Sequence, residues 1–430
     1  MPPISVVLCS YSHGIGNGIA HMDHDLITGV DPAIIDMRLV VIRSDWPGGR
    51  QETVNGALHI SLVDAYAVLC EQLATADILH VNGALDPVAC HAARAVGVPA
   101  ILEVMHQVEP GGLHEDVDIV VCVSDLVRSV QTHSKARVIH NGIDIDKFAF
   151  KPGRRDPELI HIIQVSNQSK KQHYELGNVV KELRDPRVRP VMVGSRHPVA
   201  GIHSLGVIHD MSRIYHQADI HFLIENRYAL GLVFLEGLAC GTLPVVSADS
   251  GLAAIVQQEK IGWVVEPTVK GQELDMLQTA VATVDTPEFL CMQHRGRALV
   301  EKRFSKKRMI AEYQSVYQAL ANRPRRNSKR AEAWMYLALF AQLYTANTLQ
   351  AALPALISFL RDSRPIEPYF LKHPIGNSCV AFILTVICPV LLNEGHTTFV
   401  SDLCRKLRQS RCMTPYFDSL EQATLTCRRS

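Results

Sequence analysis

The sequence predicts an α/β chain of two doubly wound halves facing a cleft, followed by an all-helical extension. Three observations predict it. Short unbroken apolar runs recur up to residue 265, helix-like stretches separate most of them, and no strand-like pattern follows residue 322. Strands buried on both faces read as continuous Val/Ile/Leu runs rather than as alternation. Their alternation with helices predicts a parallel sheet.

In the first half, strands are expected at 4–9, 39–42, 78–81, 100–105, 119–124 and 137–140, with helices such as 62–74 and 87–95 between them. The second half repeats the pattern, with strands at 159–166, 190–193, 219–224, 243–248 and 262–265 and helices such as 171–184, 212–217 and 231–240. Asn141-Gly142-Ile143-Asp144 has turn chemistry and separates the two series. The expected domains are therefore 1–145 and 146–322, with a last helix at about 308–320 packing back on the first domain. Two such halves place a crevice between the carboxyl ends of their strands, where open α/β sheets bind ligands.

Composition changes near residue 323. Arg323-Pro324-Arg325-Arg326-Asn327 and Lys329-Arg330 form a basic run, read as a solvated linker, with peripheral contact to an anionic membrane as the alternative. Beyond it, 331–344, 349–361, 378–392 and 398–408 read as helices. The extension, 323–430, is expected to be helical and to offer a surface for oligomerisation.

Lys and Arg number 43 and Asp and Glu 43, so the formal net charge is zero and gives no global reason to invoke nucleic acid. Eleven cysteines lie scattered, without a CxxC pair or a Cys/His cluster at zinc spacing, as expected of reduced thiols in an intracellular protein. Met1-Pro2-Pro3-Ile4-Ser5 has no basic segment followed by a long apolar run, so no signal peptide is expected. The apolar stretch 379–392 is too short to span a bilayer and contains Pro389. The expected location is cytoplasmic, at most peripheral at the inner face of the membrane. His21-Met22-Asp23-His24-Asp25 has metal-binding residue types, but no third separated ligand group accompanies it, and no metal is expected.

The most informative stretch runs from Tyr228 to Val246. Gly231 opens a helix, Gly241 closes it as C-terminal glycines often do, and Pro244 starts the next strand. The helix follows the strand at 219–224, so its free amides, around Leu230, Gly231 and Leu232, point out of the sheet's carboxyl edge with the positive end of the dipole. Such an end suits a phosphate. Glu236 lies just over one turn in, on an otherwise apolar helix, where it can accept hydrogen bonds from vicinal hydroxyls such as those of a ribose. Taken alone, it also reads as a solvated or dipole-pairing glutamate.

The run Gly-Leu-x-x-Leu-Glu-Gly-Leu-Ala-Cys-Gly-Thr-Leu-Pro-Val-Val, residues 231–246, resembles the donor-site signature of family 4 retaining glycosyltransferases. The resemblance implies the GT-B fold, with two Rossmann-like domains, over most of residues 1–320. It implies a nucleoside diphosphate sugar as donor, a glycan, lipid-linked or small-molecule acceptor, and no cofactor or metal. In that family the second glutamate of a Glu-x7-Glu pair binds the nucleotide ribose, and Glu236 matches it. Tyr228 stands where the first glutamate is usual, Asn167 where a diphosphate-gripping arginine is usual, and Ala254 where a further glutamate is usual. Lys171, with Lys170 beside it, matches the diphosphate lysine, which stabilises a leaving nucleoside diphosphate. The glycine loop after the first strand supplies Gly14 and Gly16, which permit close backbone approach to a ligand. His106, at the end of the strand 100–105, is similar to the family histidine that reaches the donor sugar. The implied reaction is transfer of a hexosyl group with retention of configuration, Lys171, His106 and Glu236 carrying it. The rival readings are an epimerase or phosphorylase on the same fold, and a non-catalytic nucleotide-sugar binder or scaffold.

Overall fold

In the computed structural model the described residues are 2–11, 18–43, 46, 49–61, 64–82, 87–108, 117–165, 170–194, 201–224, 229–327, 398, 400–403 and 405. The first half comprises β1 (Ile4–Ser10), α1 (Gly18–Gly29), β2 (Ile35–Arg43), β3 (Gln51–Val54), β4 (Ala57–Ser61), α2 (Ala65–Leu73), β5 (Ile78–Asn82), α3 (Pro87–Val96), β6 (Ala100–Met105), β7 (Ile119–Cys122), α4 (Asp125–Ser129) and β8 (Ala136–Val138). The second comprises β9 (Ile160–Val165), α5 (Lys170–Leu183), β10 (Val188–Val193), β11 (His203–Ser204), α6 (Met211–Tyr215), β12 (Ile220–Leu223), α7 (Leu232–Cys240), β13 (Leu243–Ser247), α8 (Ala253–Glu259), β14 (Trp263–Val265), α9 (Gln272–Thr283), α10 (Pro287–Arg303) and α11 (Lys306–Leu320).

Each half is built on one sheet. The eight-stranded sheet runs β3-β4-β2-β1-β5-β6-β7-β8 and the six-stranded sheet β11-β10-β9-β12-β13-β14. Every pairing is parallel except β3 with β4. Val6, Val7, Leu8 and Cys9 are all fully buried, which is why β1 reads as an unbroken apolar run. The hairpin β3–β4 was not among the expected strands. Its signal is Asn55-Gly56, whose positive φ values of 50° and 81° are what a tight primed turn demands.

The chain crosses between the halves at 141–147 and again at 304–306. The crossings are laced together: the Ile143 amide donates to the Phe304 carbonyl and the Lys306 amide to the Ile143 carbonyl, each at 2.8 Å. A Cβ on Gly142 would lie 2.6 Å from the Ser305 carbonyl oxygen, so only glycine fits there. Helix α11 then packs Met309, Tyr313 and Tyr317 into the core of the first half. Lys306 Nζ sits 2.9 Å from Asp144 and 3.4 Å from Asp25 of α1, tying the connection to that half.

Of the expected extension, residues 398, 400–403 and 405 are helical, and Val400 and Leu403 join the first half's core. The other expected helices lie outside the described residues. Among the described residues no helix is long and apolar enough to cross a membrane.

Arg323, Arg325 and Arg326 of the basic run are not the solvated linker expected of them, while Lys329 and Arg330 lie outside the described residues. Arg323 and Arg326 both pair with Asp118, which is largely buried and also accepts the Ile101 amide at 2.8 Å. Arg325 donates to the carbonyls of Ala76, Leu73 and Val96, at the ends of α2 and α3. Guanidinium groups satisfy several carbonyls at once where helices expose their last acceptors. These arginines clamp the chain to the first half. Asp118→Ala is expected to lower unfolding stability by about 2 kcal/mol, because two guanidinium partners are left behind. Urea unfolding checks this; an unchanged midpoint would mean the clamp contributes nothing.

Candidate functional site

The site begins with α7. Gly231 is its N-cap and adopts φ 82°, a left-handed conformation that suits glycine. The helix thus starts one residue later than expected, at Leu232. Gly241 closes it at φ 92°, donating its amide to the Gly237 and Leu238 carbonyls. Phe234, Leu235 and Leu238 anchor the helix in the core, with buried Leu230 just before it. Its amino end therefore stands fixed at the carboxyl edge of β12.

Helix α1 of the first half approaches that end. Leu232 Cδ1 lies 3.2 Å from where a Cβ on Gly18 would stand, so the starts of α1 and α7 meet across the crevice. Both starts bring the positive ends of their helix dipoles. Two such ends facing one space favour an anion such as a diphosphate.

Glu236 projects from α7 and is half-buried. Its Oε2 accepts a hydrogen bond from the Tyr215 hydroxyl at 3.1 Å. Burial raises its pKa to about 7, with the Tyr215 bond and the Lys147 charge opposing that rise. Lys147 also acts on His21 of α1, so the surroundings of Glu236 include groups from the first half. With Oε2 taken by Tyr215, Oε1 is the oxygen left for a ligand's hydroxyls.

The opposing edge, at the ends of β5 and β6, carries a chain of polar side chains. Half-buried His106 follows β6, and burial lowers its pKa to about 4, so it is neutral at physiological pH. Its Nε2 lies 3.1 Å from Asn82 Oδ1, and Asn82 Nδ2 donates to Asp23 Oδ1 at 2.5 Å. Asp23 is fully buried, which raises its pKa to about 7, with side-chain hydrogen bonds from Ser10 and Asn82 opposing that rise.

Lys170 and Lys171 open α5 right after β9, at the carboxyl edge of the second sheet; their side chains lie outside the described residues. Gly14, Gly16, Asn167 and Tyr228 also lie outside them. The structure thus brings Leu230, Gly231, Leu232 and Glu236 to one edge and His106 to the edge of the other sheet. Sequence reasoning missed Tyr215, Lys147 and Asn82, and named Asp23 only within a run of metal-binding residue types that it set aside. For Asp23 a signal existed: an acid flanked by Met22 and followed three residues later by Leu26, on the apolar face of α1.

Residues 145–275 match the family model described as Glycosyl transferases group 1. N-acetyl-alpha-D-glucosaminyl L-malate synthase of Bacillus anthracis is 23% identical over 114 residues, which are 26% of this chain and 29% of that protein. The match therefore spans less than a third of that relative's length. Among solved structures, a glycosyltransferase from Rickettsia africae ESF-5 is similar at TM-score 0.60 and 17% identity, over 74% of this chain and 99% of that one. Anabaena HepE in complex with UDP and glucose is similar at TM-score 0.56 and 13% identity, over 74% and 100% of the two chains. Sucrose-phosphate synthase from Thermosynechococcus elongatus is similar at TM-score 0.56 and 16% identity, over 74% and 99%. The fold is the GT-B fold that these neighbours share, and residues 145–275 of the second half are similar to the group 1 glycosyl transferases.

Proposed function

We propose that the chain transfers a hexosyl group from a nucleoside diphosphate sugar to an acceptor hydroxyl, with retention of anomeric configuration, as family 4 enzymes do, and that it works in the cytoplasm. The observation that carries this reading is the meeting of the α1 and α7 starts beside Glu236. The diphosphate would sit against the amides after Gly231, with Lys171 and Lys170 neutralising the charge that develops as the glycosidic bond breaks. Glu236 would take the ribose hydroxyls through Oε1. His106, neutral and at the opposing edge, would orient the sugar. The acceptor hydroxyl, held by the first half, would attack the face the leaving group vacates, and the departing diphosphate would take its proton. No side-chain base is then required, nor a metal or other cofactor. The UDP and glucose bound to Anabaena HepE, a protein of the same fold, make uridine nucleotides the first donors to try.

The test is a thermal-shift screen of the full chain with uridine, guanosine, adenosine and thymidine diphosphates and their sugars. One base series is expected to stabilise the chain, by about 2.7 kcal/mol at a hundredfold excess over its dissociation constant. Acceptor-dependent release of that nucleoside diphosphate then identifies transfer. Absence of stabilisation by every series would refute the nucleotide site. Binding without release, across a panel of acceptors, would favour the non-catalytic reading, which rests on Tyr228, Asn167 and Ala254 replacing charged family residues.

A further inference from the structure

We propose that Asp23 and Asn82 are positioning residues that fix the tautomer of His106, so that its Nδ1 is always the hydrogen-bond acceptor offered to the substrate. The proposal rests on the transferase reading for the identity of that substrate, but the relay itself is a property of the free chain.

The argument is one of hydrogen-bond direction. A carboxylate accepts and does not donate. With Asp23 Oδ1 at 2.5 Å, the Asn82 amide must turn its Nδ2 toward Asp23. The same amide then presents its oxygen, an acceptor only, to His106 at 3.1 Å. Nε2 must therefore carry the hydrogen, and Nδ1, the ring's other nitrogen, carries the lone pair. The ring remains neutral because burial disfavours its charged form, so it does not supply a second donor. A proton taken up by Asp23 leaves the direction intact when it sits on Oδ2, the oxygen that does not face Asn82.

The arrangement is expensive for a structural device. Asp23 is fully buried on the apolar face of α1, between Met22 and Leu26. Burying a carboxyl costs free energy even when its oxygens find partners. An apolar residue would hold α1 on the sheet without that cost. What it would not do is orient Asn82. The three residues also come from three separate elements, α1, β5 and the end of β6, and converge at the carboxyl edge where the crevice opens. An acceptor nitrogen of fixed identity there takes a hydrogen bond from a sugar hydroxyl and gives nothing to an ether or a deoxy position. That discriminates hydroxylated sugars by leaving a buried lone pair unpaired for the wrong one.

Asp23→Asn is the informative variant, because it keeps shape and removes direction. A carboxamide at that position can accept from Asn82 or donate to it. In the second case the Asn82 amide turns over, donates to Nε2, and moves the hydrogen to Nδ1. The full chain would be labelled with [15N]histidine and its ring nitrogens read by NMR at pH 8, with the His106→Gln spectrum assigning the His106 signals. The wild type is expected to show one neutral form protonated at Nε2. Asp23→Asn is expected to add the Nδ1-protonated form. With UDP-glucose as the probe donor, kcat for UDP release is expected to fall about tenfold, the equivalent of one hydrogen bond, with KM little changed. The thermal midpoint should not fall, because a buried ionisable group has gone. A wild type protonated at Nδ1, or the same single tautomer in both proteins, would overturn the relay. The expected tautomers in a chain that binds no nucleoside diphosphate would sink the transferase reading and leave the relay standing.

Discussion

Glu236→Ala is expected to weaken nucleoside diphosphate binding by about 10- to 100-fold, the loss of one to two hydrogen bonds to a charged acceptor at about 1.5–3 kcal/mol each, less the relief of a buried charge. The residue projects from α7 just over one turn past the helix start, with Oε2 held by Tyr215. Truncation removes the hydroxyl acceptor and leaves the Tyr215 hydroxyl, itself buried, without its partner. A pH dependence should accompany it. Burial raises the carboxyl from 4.5 to about 7, so the folded ligand-free chain holds a proton that the unfolded chain releases between those values. Through this group, stability of the free chain is greatest below about 4.5 and declines until about 7. Nucleotide affinity runs the other way, because the ionised form accepts best: it should rise with pH up to about 7 and then level off. Calorimetric titration with UDP at pH 6, 7 and 8 reads both effects, and Glu236→Gln should flatten the profile. An affinity for UDP that survives Glu236→Ala unchanged would place the nucleotide elsewhere.

The sheets were legible because parallel strands covered on both faces have nothing but apolar residues to show, as in Val6–Cys9 and the fully buried β6. The edge hairpin was not, since β3 is Gln51-Glu52-Thr53-Val54, polar and exposed along most of its length. Glu236 and Gly231 were legible for a different reason: each is the wrong residue for a packed helix, so each asks for an explanation. Tyr215 was not, because its role depends on a hydroxyl meeting a carboxylate across α6 and α7, and no periodicity records such a meeting. The same holds for Asn82, joined to Asp23 across 59 residues of chain. His21 to Asp25 is instructive. The residue types suggested one polar cluster, but a helical turn separates them: Asp23 goes inward to Asn82, Asp25 meets Lys306, and His24 stays exposed. Arg323 to Arg326 misled in the opposite sense, since a basic run looks solvated until the carbonyls and the buried Asp118 that receive it are known.

Gly251→Ala is expected to reduce UDP affinity by about tenfold or more while the two cores remain folded, overpacking of this kind costing about 1–3 kcal/mol. The residue is not in a left-handed conformation; space alone demands glycine. A Cβ there would stand 1.8 Å from the Ala229 carbonyl oxygen and 2.8 Å from Ser124 Oγ. Ala229 leads through Leu230 into Gly231, so a displaced carbonyl moves the amides at the start of α7. Ser124 belongs to the first half, where it caps α4 by accepting the Val127 amide, and Ala229 packs against that half's core. The three residues are thus a point where the loop leading into α7 is pressed against the first half, and an added methyl pushes both away. The nearest clash is with backbone, which cannot rotate aside as a side-chain end can. Affinity should therefore fall out of proportion to stability: each kcal/mol shifts the melting midpoint of a domain of 150–250 residues by only about 2–4 °C. Calorimetry with UDP beside circular-dichroism melting separates the two. Unchanged affinity in a chain whose midpoint has dropped would mean that the turn yields locally and the start of α7 does not depend on it.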